Sequence, residues 1–68
     1  MQEEIKKLTT IKNSLKEKVE TRTETFESRS DDWRESEKGR KHKEDTHILM
    51  MALSDLICCI ENLDDYNF

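Results

Sequence analysis

The side chains able to do chemistry in this sequence are few, and their spacing does not favour it. His42 and His47 are five residues apart, about 140° around a helix. They do not share a face, and no Cys or carboxylate completes a metal-ligand pattern of known spacing. Cys58 and Cys59 are adjacent and lie in the most apolar segment. A reactive thiol needs a cationic, accessible setting, so both are expected to be packing groups buried in a core. Neighbouring carboxylates such as Asp31/Asp32 and Asp64/Asp65 point apart on any regular element. No Ser/His/Asp or Cys/His nucleophile arrangement and no Gly-rich phosphate loop is present, so the reading is of a protein that is not an enzyme and has no cofactor or metal.

Two features are chemically suggestive. Lys38, Arg40, Lys41, His42 and Lys43 form a basic run around Gly39. A basic turn beside a helix start can hold a phosphate. The candidate anion-binding residues are Arg34, Arg40, Lys41 and Lys43, with the single Trp33 available to stack on a base. The competing reading is a solvated turn, because Glu37, Glu44 and Asp45 neutralise its flanks and the chain as a whole carries −4. Nucleic acid as partner calls for a wider basic face. Trp33, with Arg29 and Arg34 beside it, can be a binding hot spot or a plug at the end of a helical bundle.

Positioning these residues falls to helices. The chain has 68 residues, 41% charged and 32% hydrophobic, with one Gly and no Pro. Such a composition lacks the turn residues that β-sandwiches and barrels require. It leaves long helices. Ile5, Leu8, Ile11, Leu15, Val19, Phe26 and Trp33 recur at spacings of 3, 3, 4, 4, 7 and 7, a single narrow stripe at the helical period. Arg22 falls where one turn lacks an apolar residue. Thr21, Thr23 and Thr25 are β-branched and lower helix propensity locally. The expectation is a long amphipathic helix over 1–38, a basic turn over 39–45 with Gly39 as the helix-ending glycine, and an apolar helix over 46–68 capped by Asp45 or Thr46. The alternative break is Ser28 to Asp32, with Ser30 as the cap of a new helix.

The last third is far more apolar than the first two. Of 22 apolar residues, fourteen lie in 48–68. Leu49, Leu53, Leu56, Ile60 and Leu63 form a heptad seam, and 11 of the 13 residues from 48 to 60 are apolar. One narrow stripe on the first helix covers the Leu49/Leu53/Leu56/Ile60 side and leaves Met50, Met51, Ile57 and Cys58 wet. At about 25 cal/mol per Å2 that exposure is worth several kcal/mol, comparable with the stability of a small domain. The fold expected is therefore an all-α helical hairpin of two helices that assembles into a homo-oligomeric bundle or coiled coil. Its oligomer interface would comprise Leu49, Leu53, Leu56, Ile57, Ile60 and Leu63. Phe26, Trp33, Met50 and Met51 are the candidate contacts for a protein partner. The longest apolar stretch is shorter than the roughly 20 residues of a membrane span, the charged start is no signal peptide, and free thiols suit the cytoplasm.

The stretch Arg29-Ser30-x-x-Trp33-x-Glu35-Ser36-Glu37-Lys38-Gly39, followed by an apolar helix containing Thr46, resembles a group of short helical proteins of phages and bacteria that have no assigned activity. The likeness covers about residues 26–56. After Gly39 this chain has Arg40-Lys41-His42-Lys43 where the group is more acidic and aromatic. The resemblance implies a phage-type accessory factor, one that binds and inhibits a host or defence protein in the host cytoplasm. It carries no functional residue over. The alternatives are an oligomeric sponge for a nucleotide or other anionic signal, and a structural coiled-coil spacer.

Overall fold

A computed structural model describes residues 1–66. The described residues are almost entirely helical and include no strand: α1 spans Gln2–Ser28, α2 Asp31–Glu35 and α3 Glu37–Tyr66. The all-α expectation holds, with a third, short helix added. α1 and α3 run antiparallel as a thin rod of 52 × 14 × 11 Å. Arg22 meets Thr46 and Phe26 meets His42, so the residue numbers of facing partners add to about 68. That register lays Val19, Leu15, Leu8 and Ile5 along the Leu49, Leu53, Ile60 and Leu63 seam, all of them half-buried.

The Thr-rich segment is helical throughout, and two of its three hydroxyls bond back to carbonyls one turn earlier. Thr23 donates to the Val19 carbonyl at 2.9 Å and Thr25 to the Thr21 carbonyl at 2.9 Å. Thr9 and Thr10 bond back one turn in the same way. Such back-bonding is compatible with the helix, at a slight cost in stability.

The chain turns at Arg29–Ser30, the alternative break, and Gly39 does not end a helix. Arg29 is extended (φ −82°, ψ 161°), and its N–H bonds to the Phe26 carbonyl. Ser30 caps α2, its Oγ accepting from the Trp33 amide at 3.2 Å. Asp31 and Asp32 fill the first turn and Arg34 the last, matching the helix dipole at both ends. A third extended residue after Arg29 and Ser30, Ser36 (ψ 166°), separates α2 from α3. Its Oγ accepts from the Gly39 amide at 3.2 Å and donates to the Trp33 carbonyl. One hydroxyl thus serves the end of α2 and the start of α3.

Several boundaries are corrected accordingly. The first helix stops at Ser28, ten residues before the expected 38. The segment 39–45, expected as a basic turn, is the opening of α3, which begins at Glu37 instead of 46. Thr46 is no cap; it lies buried inside the helix. Asn67 and Phe68, placed by sequence in the last helix, lie outside the described residues.

Gly39 has a different physical role from the one expected. Its φ is not positive, so no left-handed conformation requires a glycine. It is buried, and a Cβ there would sit 2.6 Å from the Arg34 carbonyl oxygen and closer still to that of Trp33. These are backbone atoms and cannot swing aside. A glycine lets the first turn of α3 lie directly on the last carbonyls of α2.

Candidate functional site

The turn end of the hairpin is a cluster of packed aromatic rings and hydrogen-bonded side chains. Phe26 on α1, Trp33 on α2 and His42 on α3 form an aromatic trio. Their ring centroids are 6.0 Å (Phe26–Trp33), 6.1 Å (Phe26–His42) and 5.6 Å (Trp33–His42) apart, within the range in which aromatic pairs attract. The Arg29 guanidinium lies over the Trp33 ring at 4.9 Å, a cation–π contact. Phe26 and Trp33, named as partner contacts, are therefore half-buried in one another's company, and Trp33 plugs the end of the hairpin.

Next to the trio lies a polar clasp that the sequence did not single out. Arg22 Nε donates to Thr46 Oγ1 at 2.9 Å, and Arg22 Nη2 donates to the His42 carbonyl at 3.2 Å. Thr46 Oγ1 in turn donates to the same carbonyl at 2.9 Å. The apparent gap in the apolar stripe at Arg22 is thus filled by a fork tying two turns of α3 to α1. The sequence shows only an Arg at a gap in the apolar stripe; its Thr partner is set by the hairpin register. His42 Nδ1 is buried and has no hydrogen-bond partner among the described residues.

The candidate anion-binding residues do not converge. Arg34 is committed at the turn, donating to the Glu27 carbonyl at 3.0 Å and to the Asp31 carboxylate. Lys41 pairs with Asp45 at 3.6 Å. Arg40, Lys41 and Lys43 border a broad open depression that Glu37 and Glu44 also line. Cations interleaved with carboxylates give no focused positive field. A smaller cleft of about 220 Å3 opens between α1 and α3, bordered by Arg22, Phe26, Lys43, His47 and Met50 among others. Among the described residues no group of three His, Cys, Asp or Glu is placed to hold a metal ion.

The rest of α3 presents apolar surface to solvent. No apolar side chain among the described residues is fully buried. Ile48 is 64% exposed, Met50 51%, Met51 56% and Ile57 39%. Cys58 and Cys59 are free and exposed, which corrects the expectation that they pack in a core. Of the six residues named for an oligomer interface, Leu49, Leu53, Leu56, Ile60 and Leu63 are half-buried on the side of α3 that faces α1, whereas Ile57 is exposed. By length and composition α3 is apolar enough to cross a membrane, with Asp55 near the middle of its apolar run. A carboxylate at mid-bilayer costs about 2.5–3.5 kcal/mol. No family model, no curated protein and no solved structure matches this chain.

Proposed function

We propose that this chain is a small, non-enzymatic interaction protein that works as an assembly of copies of itself and uses its remaining apolar surface to hold a protein partner. The supporting observation is the pairing of an absent core with a greasy helix. Among the described residues a single hairpin buries no apolar side chain fully, yet Ile48, Met50, Met51 and Ile57 are exposed. Covering each contributes about 1 kcal/mol or more, which is decisive for a chain of this size. Other molecules must supply the cover. Methionines at positions 50 and 51 suit a surface that adapts to a partner. With the resemblance of residues 26–56, the favoured biological role is a phage-type factor that inhibits a host or defence protein stoichiometrically.

Sedimentation and light scattering across low to high micromolar concentrations test the first half. A mass at least twice that of one chain is expected. A helical, monomeric protein at every concentration would refute self-association. The second half predicts that Met51→Glu, at a side chain 56% exposed, loses a partner retained by the parent chain, while its helical content and self-association are unchanged.

A further inference from the structure

The geometry points to one flank of α3 as the surface on which a second copy of this chain docks, antiparallel, with the basic start of each α3 beside the acidic end of the other. This rests on the self-association reading above and adds the face and the direction. Apart from the seam turned toward α1, α3 carries a second heptad series. Lys43, His47, Met50, Ser54, Ile57, Glu61 and Asp64 follow at spacings of 4, 3, 4, 3, 4 and 3, the pattern that keeps one stripe facing a neighbouring helix. Its middle is Met50 and Ile57, exposed at 51% and 39%. At one end is Lys43, at the other Glu61 and Asp64. None of these three charges has an ion-pair partner among the described residues.

Charge decides the direction. A parallel partner would set Lys43 against Lys43 and the two acidic ends against each other. An antiparallel partner sets each Lys43 beside the other copy's Glu61 and Asp64, while Met50 and Ile57 meet across the centre. The cleft beside Met50, bordered by Arg22, Lys43 and His47, then lies next to the incoming carboxylates. The opposite flank is less suited. There Ile48, Ala52 and Cys59 are interrupted by Asp55, and its lysine, Lys41, is already paired with Asp45. Ile48 and Ile57 are nine residues apart, on opposite sides of the helix at about 100° per residue, so they report on the two flanks separately.

The test measures self-association by sedimentation for five full-length variants, with circular dichroism to confirm helical content. Ile57→Glu should abolish the assembly, and Ile48→Glu should leave it intact. Lys43→Glu and Glu61→Lys should each weaken it by about tenfold, equivalent to about 1.4 kcal/mol, and the double variant Lys43→Glu/Glu61→Lys should restore it, because reversed charges still meet across an antiparallel pair. Loss with Ile48→Glu but not Ile57→Glu would overturn the choice of flank and leave self-association standing. Charge variants without effect, or a double variant no better than the singles, would overturn the antiparallel pairing. A parent chain that stays monomeric would remove both this inference and the reading it rests on.

Discussion

At the turn end of the hairpin, Arg22, Ser30, Arg34, Ser36 and Thr46 are held by side-chain hydrogen bonds, and the only two buried residues among those described, Gly39 and Thr46, sit there. At the open end, from Val19 and Leu49 outward, the aliphatic stripe of α1 lies along the seam of α3 but leaves Ile11 50% exposed, and no apolar side chain among the described residues is buried completely. The turn end is specified by shape and hydrogen bonding: a glycine that admits a backbone, a serine shared by two helices, an arginine fork. The open end is specified only by hydrophobic spacing. Spacing tolerates changes of partner, whereas backbone proximity does not. The chain therefore has one end that determines its own conformation and one whose conformation depends on what else is present.

The largest effect expected from breaking this contrast is at Gly39. Replacing a helical Gly with Ala stabilises an ordinary helix by about 0.5–1 kcal/mol. Here the added Cβ would run into the Trp33 and Arg34 carbonyls, and overpacking against backbone costs about 1–3 kcal/mol or more. Gly39→Ala should therefore destabilise the hairpin by about 2–3 kcal/mol, read by urea unfolding followed through Trp33 emission. A stabilised variant would mean that α2 and α3 are not in close apposition.

Leu56 probes the open end. A fully buried Leu→Ala loses about 2–5 kcal/mol, but Leu56 is only half-buried in the single chain. Leu56→Ala should cost about 1–2 kcal/mol in dilute solution, and the loss should grow with protein concentration if other copies cover α3. The same titration on Gly39→Ala should show much less concentration dependence. Equal behaviour of the two variants in thermal scans over a wide concentration range would erase the distinction between the ends.

The aliphatic seam was legible in the sequence because helical periodicity reports directly on which face is covered. Leu49, Leu53, Leu56, Ile60 and Leu63 lie where their spacing put them. The turn was misplaced for a physical reason. A glycine after a polar run signals a helix end through its left-handed conformation, but the same residue also permits close approach, and the sequence alone does not distinguish the two uses. The Ser30-Asp31-Asp32 signal was present and proved to be the true start of a helix. Arg22 and Thr46 were unreadable singly, since their pairing exists only once the hairpin register is known. Cys58 and Cys59 are exposed because apolar surroundings in sequence do not guarantee cover when the one long helix beside them has a single stripe.

That pairing gives the third prediction. Thr46→Val removes the acceptor of Arg22 Nε and keeps the shape. An unsatisfied buried donor costs about 1–3 kcal/mol. Arg22 is half-exposed and water reaches it, so about 1 kcal/mol is expected. Replacing both partners with apolar groups can be nearly neutral, so Arg22→Leu/Thr46→Val should recover most of the loss in chemical unfolding. A double variant worse than Thr46→Val would show that the second arm of the fork, to the His42 carbonyl, matters more than the first.

The smallest effect separates the two serines of the turn. Ser30 caps α2 alone, on the surface, and loss of a cap costs about 0.5–2 kcal/mol. Exposure puts Ser30→Ala at the low end, about 0.5 kcal/mol. Ser36 accepts from the Gly39 amide and donates to the Trp33 carbonyl, so its alanine variant breaks two bonds where the helices are closest. Ser36→Ala should cost about twice as much, and the extra loss should vanish in a Gly39→Ala background, where the α2–α3 apposition is already disrupted. Such non-additivity is the signature of residues sharing one structural feature. Additive losses would mean that Ser36 caps its helix as independently as Ser30 does, and that the turn end is a series of separate local signals.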